Sequence, residues 1–157
     1  PIITQNNNLI SYVGSVSDKA EDGQIRSSKC ELLRNAKALM FPSCWAEPFG
    51  MVMPEAMACG TPVIGLDFKG SSVNEIVRNG INGFKFTREW EAAEIINTKL
   101  SAIDRHKVYN DFHSRFTTER MAQGYLRVYQ EIRKHYMPEQ VRARVTSRVG
   151  GFGLHVN

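Results

Sequence analysis

Ser43-Cys44-Trp45-Ala46-Glu47-Pro48-Phe49-Gly50-Met51-Val52-Met53-Pro54-Glu55-Ala56-Met57-Ala58-Cys59-Gly60-Thr61-Pro62-Val63-Ile64 carries, in one run, the end of a strand, a turn, a short helix and the start of the next strand. Ala38 to Phe41 is a brief apolar run suited to a buried strand, and the helical stretch through Ala56 to Ala58 stops at Gly60. Pro54 is tolerated only in a first helical turn, which places the helix start near Met51 to Met53 and the amides of Gly50, Met51 and Val52 at its mouth. Amides at the positive end of a helix invite an anion, and a phosphate fits best. Two carboxylates flank that mouth. Glu47 lies in the loop before the helix, and Glu55 in its early turns, where it can accept from a ribose diol as acidic residues do in dinucleotide folds. A phosphate between two hydroxyl-bearing rings describes a nucleotide sugar. Each glutamate alone also has an ordinary reading: Glu55 as a carboxylate favoured by the helix dipole, worth roughly 0.3–1 kcal/mol, and Glu47 as a solvated side chain.

Outward from this run the pattern alternates. Ile10 to Gly14 reads as a strand, Lys29 to Ala36 as a helix, Ala38 to Ser43 as a strand and Val52 to Ala58 as a helix. Thr61 to Asp67 follows as a strand, Ser72 to Arg78 as a helix and Gly83 to Phe86 as a last short strand. Such alternation implies an α/β fold, a doubly wound, mostly parallel Rossmann-like sheet with helices on both faces. Ligands of these sheets sit beyond the carboxyl ends of the strands, which brings the loops at 15–19, 43–50 and 67–72 to one crevice. In the third loop, Ser72 is the expected N-cap and Glu75 its capping-box partner. After Thr87 the spacing predicts helices over Glu89 to Ile103, Asp104 to Phe116 and Thr118 to His135, with Asp104 and Thr117 or Thr118 as caps. Tyr125, Tyr129 and Ile132 recur as a buried helical stripe.

The motif and its flanks carry a family resemblance. Glu47-Pro48-Phe49-Gly50, Glu55-Ala56-Met57-Ala58, Gly60, Pro62-Val63-Ile64, Gly70 to Val77 and Gly80 to Phe84 resemble the C-terminal, nucleotide-sugar donor-binding part of the family 4 type retaining glycosyltransferases with the GT-B fold. The likeness reaches back to Tyr12 to Lys19 and Leu32 to Ser43, and forward to Phe116 to Tyr125. It implies that Glu47 contacts the donor sugar and is the catalytic residue. It further implies that Phe49 lines the donor site, that Gly50, Met51 and Val52 hold the diphosphate, that Glu55 binds the ribose, and that Val16 to Lys19, with Val16 and Lys19 as contacts, flank the nucleobase; the extra residues 20–28 leave open whether Lys19 or Lys29 matches the family's lysine. No cofactor or metal is expected, the helix amides standing in for a cation at the diphosphate of the nucleoside diphosphate sugar. The family also has an acceptor domain and a basic motif that supplies an Arg and a Lys, and neither is found here. The expected partners are therefore the nucleotide sugar, an acceptor sugar, lipid or small molecule, and a missing N-terminal acceptor domain or complementary chain. The chain alone is expected to bind nucleotide weakly and not to transfer sugar, since positioning of the acceptor contributes on the order of 7–11 kcal/mol to catalysis.

Composition bounds these readings. The chain has 157 residues and a net charge of +4. It is expected to form one donor-binding domain over 1–136, incomplete relative to the family, followed by an exposed extension over 137–157 in which Gly150-Gly151-Phe152-Gly153 breaks regular structure. The charge is scattered, with no basic residues interleaved with aromatics in the way nucleic-acid binding requires. No apolar run reaches the ~20 residues of a membrane span. The expected location is the cytoplasm, or the cytoplasmic face of a membrane. Cys30, Cys44 and Cys59 lack ligand spacing and read as free thiols, with Cys44 and Cys59 flanking the motif and able to approach each other. A non-catalytic nucleotide or nucleotide-sugar binding module is the alternative function, and a doubly wound domain with an unrelated role a third.

Overall fold

The computed structural model describes residue 16 and residues 29–136. The expected strand over 10–14, Lys19, the insertion at 20–28 and the extension after 136 lie outside the described residues. The rest divides into two compact units, one up to Arg115 and one from Phe116 onward.

In the first unit, helix α1 (Lys29–Asn35), strand β1 (Leu39–Phe41), helix α2 (Val52–Ala58), strand β2 (Val63–Leu66), helix α3 (Val73–Ile76) and strand β3 (Gly83–Phe86) alternate as the pattern predicts. The strands form one parallel sheet in the order β1-β2-β3, with Leu39 opposite Val63 and Val63 opposite Gly83. Central β2 is buried along Val63, Ile64 and Gly65, as a parallel strand covered on both faces should be. Two glycines permit this closeness. A Cβ on Gly65 would stand 2.6 Å from a Val73 methyl, so α3 rests directly on the strand, and one on Gly83 would meet the Val63 backbone.

Helix α2 begins where Pro54 requires and buries Met53, Pro54, Ala56 and Met57. Its end is a Schellman closure: Thr61 N–H donates to the Ala56 carbonyl and Gly60 N–H to the Met57 carbonyl, with Gly60 at φ +72°. Helix α3 is shorter than the expected 72–78. The side chain of buried Asn82 accepts from Arg78 N–H at 2.7 Å and donates to the Ile76 carbonyl at 2.9 Å, taking the place of a further helical turn. The expected cap is also different. Ser71 Oγ accepts from Val73 N–H, whereas Ser72 Oγ is buried with no hydrogen-bond partner and makes no cap. A carboxylate that does close a helix start is Glu91, which accepts from Thr87 N–H, the Thr87 hydroxyl and Arg88 N–H. These Thr87 and Arg88 bonds hold its carboxyl below the usual range.

The single helix expected over 89–103 is three pieces: α4 (Glu89–Glu94), a π turn (Ile95–Lys99) and a 3-10 turn (Leu100–Ala102). The Thr98 hydroxyl donates back to the Glu94 carbonyl at 2.8 Å, a bond that loosens helical geometry. The wider turn brings Ile95 and Leu100 into one core cluster with Ile64, Phe86 and Ala92.

Helix α5 (Arg105–Arg115) completes the unit. Asp104 Oδ1 accepts from His106 N–H at its start, as expected of a cap. The Arg105 guanidinium donates to the carbonyls of Ala36 and Arg34 and to the Thr61 hydroxyl, closing the end of α1. Asp111, 8% exposed, accepts from Arg78 at 2.8 Å, Asn82 at 2.7 Å and Arg115 at 2.8 Å. Arg115 also donates to the Glu75 and Ile76 carbonyls, so this network holds the connection from α3 to β3.

The second unit contains helix α6 (Thr118–Tyr136), started by Thr117, whose hydroxyl accepts from Arg120 N–H. Tyr125, Tyr129 and Ile132, expected to be buried, are 58%, 60% and 46% exposed. Among the described residues no helix is long and apolar enough to cross a membrane.

Candidate functional site

The loop from β1 to α2 turns at Gly50, which sits at φ +65°, a region that glycine alone enters without strain. Space adds a second requirement there, because a Cβ would lie 2.9 Å from the Met53 terminal methyl and 3.0 Å from the Phe41 ring. The turn carries Glu47 to the mouth of α2. Its Oε1 accepts from Gly50 N–H at 3.3 Å, and its Oε2 accepts from the Trp45 indole N–H at 3.2 Å. One carboxylate thus folds over the helix start that holds Gly50, Met51 and Val52.

The third loop joins the same place through the main chain. Ser72 N–H donates to the Glu47 carbonyl at 3.1 Å, and Ser71 and Ser72 are both buried. Two of the three loops expected to converge at the strand ends therefore meet in the structure. From the remaining loop, at 15–19, Val16 is described and is half-buried. Phe49, Gly50 and Val52 are half-buried, while Met51 is 63% exposed.

Glu55 lies farther along α2, and Lys29 at the start of α1 reaches it. Nζ to Oε1 is 3.0 Å, with 32% and 34% of the two side chains exposed. The two carboxylates are held differently, Glu47 by neutral N–H donors at the turn and Glu55 by an ammonium from another helix. Lys29 is one of the two lysines, with Lys19, that could match the family's lysine, but its pairing with Glu55 is a contact sequence reasoning missed. Lys29 and Glu55 are 26 positions apart, and no spacing within either helix signals the pair. The Trp45 indole had a legible signal, two positions from Glu47 in the quoted run. Cys30, Cys44 and Cys59 are free thiols, as expected, and the thiol beside Cys59 is Cys30. Burial, with the Cys30 thiol close by, pushes the Cys59 thiol up from its ordinary value.

This arrangement offers one anion-compatible helix start, one carboxylate over it and another a turn away. A family model described as glycosyl transferases group 1 matches residues 23–115, more than half of the chain. Among curated proteins, the chain is 33% identical to D-inositol 3-phosphate glycosyltransferase of Rhodococcus erythropolis, over 68% of the chain and 25% of that protein. It is 33% identical to a sucrose synthase of Thermosynechococcus vestitus, over 61% of the chain and 11% of that protein. Among solved structures, HepE from Anabaena in complex with UDP superposes with a TM-score of 0.59 at 28% identity, covering 68% of the chain and 30% of HepE. The chain thus spans a small part of the length of these relatives.

Proposed function

Because this chain belongs to the glycosyl transferases group 1 family, we propose that it supplies the donor-binding side of an enzyme that moves a sugar from a nucleoside diphosphate sugar to a hydroxyl acceptor with retention of configuration. The observation that carries this reading is the pairing of Glu47 and Glu55 around the start of α2, with Glu47 bonded to the Gly50 amide and Glu55 standing one turn along the same helix. A solved structure of 28% identity that binds UDP supports a nucleotide as the ligand.

In the proposed arrangement the amides of Gly50, Met51 and Val52 take the diphosphate, Phe49 borders it, and Val16 and Lys19 flank the nucleobase. The Glu55 carboxylate accepts from the ribose diol, and the Lys29 pair keeps that carboxylate in place. Glu47 cannot keep its bond to the Gly50 amide and let a phosphate have it. Donor entry turns its carboxylate toward the sugar, where it accepts from sugar hydroxyls and, as the catalytic residue, stabilises positive charge that develops at the anomeric carbon. Acceptor binding and any acceptor domain belong to the same proposal.

Calorimetric titration with nucleoside diphosphates tests the ribose contact. Glu55→Gln is expected to weaken binding by about 1.5–3 kcal/mol, the usual value of a hydrogen bond to a charged group. It should barely alter stability, because the Lys29 pair is one-third exposed and such pairs contribute about 0–1 kcal/mol. Unchanged affinity would remove Glu55 from the site.

Glu47→Ala is expected to leave affinity for the bare nucleoside diphosphate unchanged or slightly improved, since the Gly50 amide is released, and to weaken the intact sugar donor. Parallel titrations with a nucleoside diphosphate and its sugar read the difference. Equal losses for both ligands would place Glu47 away from the sugar.

A further inference from the structure

Helices α1 and α2 are tied side by side at two levels. Lys29 at the start of α1 pairs with Glu55 midway along α2 at 3.0 Å, and the hydroxyl of Thr61, just past α2, donates to the Leu33 carbonyl near the end of α1 at 2.5 Å. Between these ties lie Cys30, next to Lys29, and Cys59, one turn beyond Glu55 on the same face of α2. Their side chains are neighbours. Cys30 is exposed and Cys59 half-buried, while Cys44, also exposed, lies in the loop before α2.

We propose that Cys30 and Cys59 are a redox-modification site, closing to a disulfide between α1 and α2 on reaction with a low-molecular-weight disulfide. The Lys29–Glu55 ion pair and the Thr61–Leu33 hydrogen bond hold α1 against α2 on both sides of the two cysteines, and a disulfide requires such close, fixed neighbours. The exposed Cys30 thiolate attacks one sulfur of the small disulfide and expels a thiolate, forming a mixed disulfide. Cys59, as its thiolate, then attacks the Cys30 sulfur and expels the second small thiolate. Two protein thiols and one small disulfide become one protein disulfide and two small thiols, the protein being oxidised and the reagent reduced. Burial raises the Cys59 thiol, so Cys59 suits the second, intramolecular step rather than the first, and closure speeds up as pH rises toward its ionisation. The bond fixes α1, and with it Lys29, against the helix that bears Glu55.

The test is incubation of the 157-residue protein with glutathione disulfide, followed by intact-mass analysis and non-reducing peptide mapping. The expected product has lost two hydrogens, links Cys30 to Cys59 and is reversed by dithiothreitol. Its thermal midpoint is expected to rise by roughly 5–15 °C, because the bond closes a loop of substantial length in the unfolded chain. Cys44→Ser should behave as the parent, and Cys30→Ser, a change at an exposed position, should retain the fold and give no internal disulfide. Stable glutathione adducts without a crosslink, or a crosslink through Cys44, would overturn the proposal. Neither result bears on nucleotide binding, which the glutamate variants test separately.

Discussion

Gly83→Ala is expected to abolish cooperative folding of the first unit. A Cβ at this position would stand 1.9 Å from the Val63 carbonyl oxygen, 2.8 Å from its carbon and 2.9 Å from its nitrogen. All three are backbone atoms of the central strand, so no rotamer change relieves the clash. β3 would have to leave β2 at the pair Val63 and Gly83, beside the bond from Val63 N–H to the Asn82 carbonyl. The expected loss exceeds about 4–5 kcal/mol, the range reserved for disrupted cores and strained backbones. Thermal melts followed by circular dichroism read the result. Gly124→Ala is the control: a Cβ there has no neighbour within 4 Å, and alanine in a helix is favoured over glycine by about 0.5–1 kcal/mol. A Gly83→Ala protein melting near the parent would mean that β2 and β3 do not pair in this register.

Asp111→Ala should cost about 3–5 kcal/mol, the usual penalty for removing one partner of a buried ion pair. Its side chain is 6% exposed and serves two guanidiniums and one amide. Arg78, half-exposed, can turn to water. Arg115, 17% exposed, and fully buried Asn82 cannot do so without giving up the Glu75 and Ile76 carbonyls. Most of the loss therefore arises at those two. Asp111→Asn keeps an acceptor but loses the charge and should fall between. Urea denaturation of the three proteins gives the order, and an Asp111→Ala midpoint equal to the parent would show that the network contributes nothing net.

The alternation of strands and helices was legible because each element is written in adjacent residues. Pro54 announces the start of α2 and Gly60 its end, both through the backbone torsions they allow. The departures share a different cause. Asn82 shortens α3 from six positions away, and the Asp111 network joins residues far apart in sequence, so local propensity holds no trace of them. Ser72-Val73-Asn74-Glu75 has the spacing of a capping box, but burial of Ser72 against the Glu47 loop takes its hydroxyl out of service and leaves the bond to Ser71. The break after Glu94 depended on which spacing the core would accept, Ile95 with Leu100, and periodicity read along a straight helix does not disclose it. The two carboxylates of the candidate site were legible since a single turn and helix present them. The contacts of Lys29 with Glu55 and of Cys30 with Cys59 were not, being made by packing of α1 on α2.

Arg105 has a consequence for how the chain is made. The carbonyls that end α1 find their donors 69 and 71 residues downstream, on the first turn of α5. During synthesis from the amino terminus, α1, β1 and α2 leave the ribosome well before that guanidinium exists. The early part of the unit is thus left with exposed helix ends and unfilled packing surface until α5 follows, a condition that favours chaperone contact and slows acquisition of the native topology. Truncations that stop short of position 105 should remain protease-sensitive, and a translational pause would be tolerated after α5 far better than before it.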